Sequence, residues 1–202
     1  MRPGHLLPEA FFTGEVDAVA KGLLGGLLVR EDVVLKITEV EAYGGPEDSA
    51  SHCRFGHTPR NAPMWEGGGR AYVYRCYGIH WMLNVVTGLP GQGAAVLVRA
   101  CEPLEGLERI QSRRGGAKGS ALLAGPGRVA QALGLDGDWS GHLLHRPGGL
   151  ELRRGPAPVR LVGGPRVGIA FATLQDQQAI RRWAIADTPW VSRPRGLEPL
   201  AT

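Results

Sequence analysis

The sequence predicts an α+β fold, and three stretches carry that reading. Residues 70–84 place two runs rich in β-branched and aromatic residues on either side of Tyr77-Gly78, the signature of a β-hairpin. Val33 to Tyr43 alternates with a period of two, as a strand does. Gly125-Pro126-Gly127-Arg128 opens a helical pattern that Gly134 closes, with proline where the first turn needs no amide donor. A chain of 202 residues is long enough to bury a core as one domain. We read 1–192 as that domain and 193–202 as a flexible tail.

Met1 to Ala10 reads as an arm, and Thr13 as the N-cap of a helix over Glu15–Leu24 that stops at Gly25-Gly26. In the strand from Val33, alternation puts Leu35, Ile37, Glu39, Glu41 and Tyr43 on one face, so carboxylates and a phenol lie beside aliphatics. Glu47 to Trp65 is a long polar loop holding His52, Arg54, His57, Arg60 and Asn61, a density that points to function. The hairpin carries Tyr77 at its tip with Arg70 and Arg75 on the leading strand, an arrangement in which an aromatic wedge enters a base stack while arginines meet phosphates. Ala94 to Ala100 is an apolar strand with Arg99 near its end; a buried arginine needs an anion, and an acid of the Val33–Tyr43 strand is the natural partner. Pro103 reads as the N1 residue of a helix through Ile110, and Arg113–Gly119 as a flexible basic loop. At the start of the next helix, the free amides around Gly125 and Gly127 together with Arg128 suit a phosphate. Short strands fill 148–171 and 181–185.

A net charge of +4 favours anionic partners. Cys53, Cys76 and Cys101 form no C-x-x-C pair and suit no metal or disulfide framework, so they read as small core residues of a reducing cytosol. No apolar run reaches the length of a membrane span. These features place the protein in the cytoplasm, without a membrane partner, metal or cofactor.

Several ordered motifs carry a resemblance: Glu41-Ala42-Tyr43, Gly45-Pro46-Glu47-Asp48 leading to His52, Thr58-Pro59-Arg60-Asn61, Tyr72-Val73-Tyr74 with Tyr77-Gly78, Asn84, Leu97 to Gly106, Gly125-Pro126-Gly127-Arg128 and Pro189-Trp190-Val191-Ser192. Together they resemble the alkyladenine (3-methyladenine) DNA glycosylase family. The resemblance implies a curved, mostly antiparallel sheet with flanking helices, and a hairpin that enters the minor groove of double-stranded DNA. It further implies a monomer that flips alkylated or deaminated purines out of the duplex and hydrolyses the N-glycosidic bond, and hence a protein found with the nucleoid. Residue by residue, Glu41 is then the general base, Arg99 the cation that holds it, Tyr77 the intercalating wedge, and Tyr43, His52, Tyr74 and Asn84 the base pocket. Arg75, Gly125, Gly127 and Arg128 fall to the DNA backbone. No lysine matches an amine nucleophile, which makes the enzyme monofunctional, without lyase activity. The chief alternative is a non-catalytic protein that binds damaged DNA on the same scaffold, and a carbohydrate hydrolase using Glu39 as a second carboxylate is a more distant one.

Overall fold

The structure is a computed structural model that describes residues 4–200, so the first three residues of the arm and the last two of the tail lie outside it. Four α-helices, α1 (Val16–Leu23), α2 (Leu107–Arg113), α3 (Pro126–Leu133) and α4 (Leu174–Gln178), surround one nine-stranded sheet. Its strands are β1 (Leu27–Arg30), β2 (Val33–Tyr43), β3 (Ala71–Cys76), β4 (His80–Thr87), β5 (Ala94–Glu105), β6 (Leu150–Arg153), β7 (Leu161–Pro165), β8 (Ile180–Ile185) and β9 (Glu198–Pro199). The main path runs β3-β4-β5-β2-β8-β7-β9, with every pairing antiparallel. This is the expected α+β architecture.

β2 is the central strand, and its second edge is shared. Residues 33–36 pair with β1, which leads on to β6, whereas residues 39–41 pair with β8. The sheet therefore forks at Thr38, whose hydroxyl donates to the carbonyl of Trp190 at 2.6 Å.

At the same point the alternation of β2 breaks. Ile37 pairs with Cys101 and Glu39 with Ala100, so Thr38 is an extra residue on β2; Val40 then pairs with Val98, which makes Arg99 an extra residue on β5. The two bulges cancel in register but switch faces. Leu35 and Ile37 point into the same apolar core as Val40 and Ala42, and Glu39, Glu41 and Tyr43 point away from it. The expectation of one continuous face is corrected accordingly. Fully burying Ile37 stabilises the core by roughly 1.5–3 kcal/mol, and the same burial of an unpaired Glu41 would cost more than that. The bulges keep these two demands on opposite faces.

Other departures have local causes. Thr13 is not the N-cap of α1. It ends a 3₁₀ turn over Glu9–Thr13 and bonds the Ala10 carbonyl at 3.0 Å, leaving Glu15 at the cap. Pro103 opens no helix; it lies in β5 opposite Leu35, beside a register shift where its missing N–H does no harm. The helix starts only after Gly106, which sits at φ +77 where a Cβ would come within 2.7 Å of the Asp32 carbonyl. Residues 193–200, expected as tail, run against β7 and end in β9. Cys53 and Cys101 are buried and unpaired, but Cys76 is only half-buried. Among the described residues no helix is long and apolar enough to cross a membrane.

Candidate active site

The hairpin of β3 and β4 projects from one end of the sheet. Its last pair is Cys76 with His80, so the loop has three residues, Tyr77-Gly78-Ile79, closed by the Ile79 amide on the Cys76 carbonyl at 3.0 Å. Gly78 takes φ +67, and Tyr77 itself takes φ +50, a left-handed conformation that costs a non-glycine residue roughly 1 kcal/mol. Tyr77 is 90% exposed. A large aromatic side chain held in water on a strained turn has no packing reason to be there. Behind it, α3 packs against β4, where a Cβ on Gly127 would approach the His80 side chain to 3.0 Å, so this glycine serves close packing.

Beneath the hairpin opens a cavity of 380 Å³ that Tyr77 and Pro126 help to line. Its walls are aromatic. Tyr72 and Tyr74 stack at 5.4 Å, and His52 stands edge-on to Tyr74 at 4.5 Å while its Nδ1 meets the Tyr72 hydroxyl at 2.8 Å. The 3₁₀ turn His52–Phe55 is anchored by buried Asn61, which donates to the His52 and Gly56 carbonyls and accepts from Trp65. Asn61 is thus a tether of the polar loop, and Arg60 is the neighbour that reaches the cavity. Burial, with Arg60 and Arg54 adding to it, pushes His52 down to about 4, so its imidazole is neutral near pH 7. The same burial pushes the Tyr72 phenol up to about 12 and raises Tyr74 and Cys76. Asn84 lies in the lining with its amide fixed by donation to the Tyr72 carbonyl at 3.0 Å.

The floor of the cavity is charged. Glu41 is fully buried, and three donors converge on it. Oε2 accepts from the Tyr43 hydroxyl at 2.9 Å and from Arg99 Nη1 at 3.1 Å, and Oε1 accepts from the Val167 amide at 2.7 Å. Tyr43 keeps its proton, since burial first and the Glu41 charge next raise its phenol well above the ordinary value. Arg99 also reaches Glu39 at 3.4 Å and Ser192 Oγ at 3.0 Å, and Glu39 is further held by Arg182 and the Ser192 amide. Two carboxylates and two guanidiniums therefore compensate one another out of water. Arg182 and Ser192 lie outside the cavity lining, whereas Tyr43, Arg99 and Val167 are all part of it, which leaves Glu41 as the carboxylate whose partners all line the cavity.

Other parts of this surround received no role from the sequence. The Val167 amide is backbone and so invisible to residue type. Asp48 and Arg166 form a buried bidentate pair, and the Arg166 guanidinium stacks on the Tyr43 ring at 4.9 Å. A buried arginine wanting an anion is the clue that reading applied to Arg99 and not to Arg166. Of the residues expected at the DNA backbone, Arg75 is exposed with its guanidinium 5.7 Å from the Trp81 ring, and exposed Arg128 bonds the Ala124 carbonyl at the start of α3. Arg70 is committed to Glu66 at 2.7 Å.

A family model described as Methylpurine-DNA glycosylase matches residues 10–189. The chain belongs to the methylpurine-DNA glycosylase family. Among its relatives is a protein of Arabidopsis thaliana named DNA-3-methyladenine glycosylase, 53% identical over 198 residues, covering 96% of this chain and 78% of that protein. Another, from Nitrosococcus oceani, bears the name "Putative 3-methyladenine DNA glycosylase" and is 56% identical over 194 residues, covering 96% of both chains. As a methylpurine-DNA glycosylase the protein is a DNA repair hydrolase that acts on damaged DNA, in agreement with the resemblance carried by its motifs.

Proposed function

We propose that this glycosylase flips damaged purines, 3-methyladenine foremost, out of duplex DNA into the 380 Å³ cavity and removes them by one hydrolytic displacement. The observation that carries the reading is the Glu41 carboxylate, fully buried behind an aromatic cavity that lies under an exposed wedge. Turning a nucleotide out of the stack costs a few kcal/mol, and Tyr77 fills the gap it leaves. The extruded base lies among Tyr43, His52 and Tyr74, whose ring faces attract a cationic purine by roughly 1–2 kcal/mol. Asn84, with its amide orientation fixed, disfavours purines bearing an exocyclic amino group at its position.

Each carboxylate oxygen accepts two hydrogen bonds. Oε2 already has two donors and Oε1 one, so the water takes the free position on Oε1. The N-glycosidic bond breaks with its electron pair going to the base, the water oxygen bonds C1′, and its proton passes to Glu41. The buried anion meanwhile stabilises the cationic sugar. The cavity lining contains no lysine, which supports hydrolysis without a Schiff base and hence without strand cleavage. The enzyme works as a monomer in the cytoplasm, on the nucleoid.

The test presents methylated duplex, and duplexes bearing hypoxanthine, ethenoadenine or 7-methylguanine, to the purified protein and measures free base and strand integrity. Released base on an intact strand is the expected result. Glu41→Gln should bind the lesion duplex and excise roughly 10²–10⁴-fold more slowly. Binding without any release by the wild-type protein would instead make it a damage-binding protein.

A further inference from the structure

Beside the base cavity lies a second groove, of 610 Å³, that shares Val167 and Gly168 with it. Its far side is the turn Arg193-Pro194-Arg195-Gly196. This turn is built into the fold. The buried Arg182 guanidinium, itself paired with Glu39, donates to the Arg193 carbonyl at 2.7 Å and to the Arg195 carbonyl at 3.1 Å. Gly164 of β7 makes room for it, since a Cβ there would meet the Gly196 carbonyl oxygen at 1.9 Å. On one side Ser192 is tied to Glu39 and Arg99, and on the other Glu198 pairs in β9.

The arrangement fixes the backbone of the turn and leaves its two guanidiniums in water. Arg193 and Arg195 are exposed, and among the described residues neither side chain has an acidic, carbonyl or ring partner. The groove's other arginines are committed, Arg166 to Asp48 and Arg182 to Glu39. Two free arginines held by a rigid turn against the wall of a cavity that receives a flipped nucleotide have an anion to meet. We propose that Arg193 and Arg195 form a phosphate clamp for the DNA strand that carries the lesion, gripping the backbone next to the extruded nucleotide. The clamp fixes register and contributes affinity without reading sequence. It rests on the reading that the nucleotide enters the 380 Å³ cavity.

The experiment measures binding of a fluorescent duplex with one abasic-site analogue at several KCl concentrations, for the wild-type protein, R193Q/R195Q, R193K/R195K, and R109Q as a control. Arg109 is an arginine already paired with Glu31 and Asp32. Each phosphate contact contributes a slope of about −0.9 in log K against log salt, so the glutamine pair should flatten the slope by about 1.8. The lysine pair should keep the slope, and R109Q should leave it unchanged. Single-turnover base release by R193Q/R195Q should require a higher protein concentration to saturate than release by the wild type. An unchanged slope in R193Q/R195Q, or one flattened equally by R109Q, overturns the clamp; so does a loss of release at saturation with the slope intact. Absence of base release by the wild type would refute the glycosylase mechanism and leave the salt slopes to decide the clamp separately.

Discussion

Arg99 Nη1 stands 3.1 Å from Glu41 Oε2 with both side chains out of water. A buried pair of this kind is worth little against an apolar replacement of both partners, but removing one partner leaves an uncompensated charge at a cost of about 3–5 kcal/mol. Arg99→Gln should lower unfolding free energy in urea by that order. In the material that folds, Glu41 Oε2 loses one of its two donors, so single-turnover excision should slow. A variant with unaltered stability and an unaltered excision rate would remove Arg99 from the site.

Tyr77 gives the opposite expectation, since its ring touches water and packs on nothing that folding needs. Tyr77→Ala should alter stability by no more than about 0.5 kcal/mol. Excision from duplex should nevertheless slow, because the vacated stack is no longer filled, and excision from single-stranded DNA should change much less. Equal losses on both substrates would make Tyr77 part of the scaffold.

His52 sets a pH dependence of stability. Its ordinary value of 6.5 falls to about 4 in the folded protein, so between those limits the unfolded chain binds more protons. The contribution of neutral His52 is therefore complete above about pH 6.5 and is lost as pH falls toward 4, by on the order of 3 kcal/mol. Urea unfolding at about pH 7 and pH 4 should show His52→Gln losing that much less than the wild type. Parallel losses in the two proteins would refute the assignment.

Leaving groups should separate sharply. A 3-methylated adenine departs as a neutral molecule, whereas hypoxanthine departs as an anion unless it is protonated. His52 holds no proton near neutrality, and the phenols and Cys76 that line the cavity are raised, so none is a ready acid. Single-turnover excision of the cationic purine should exceed that of hypoxanthine by at least about 10²-fold, the lower range of general-acid assistance. A hypoxanthine rate that fell between pH 6 and 8 would reveal an acid that this lining does not offer.

Most of the frame was legible because it rests on local signals: the hairpin on Tyr77-Gly78, α1 on the Gly25-Gly26 stop, and α3 on Pro126 and Gly134. Arg99 was legible through charge alone, since burial demands an anion, and its anions are Glu41 and Glu39. Period two failed along β2 because Thr38 interrupts it, and a bulge is a property of the pair of strands. The packing of residues 193–200 was equally hidden. It depends on Arg182, Gly164 and Glu39, which are remote in sequence, and local composition reads only as a tail.

The cancelling bulges make the Glu41 carboxylate an address counted in backbone units. Substituting Thr38 leaves that count intact, and deleting it would restore plain alternation with Glu39 and Glu41 still turned away from the core; deleting Val40, beyond the bulge, would instead turn Glu41 and Tyr43 into the apolar core and Ala42 toward the cavity. Drift by point replacement and drift by insertion or deletion thus meet very different resistance here. At this crossing the number of residues between the bulge and Glu41 is under tighter constraint than the chemistry of the residue that supplies the extra step.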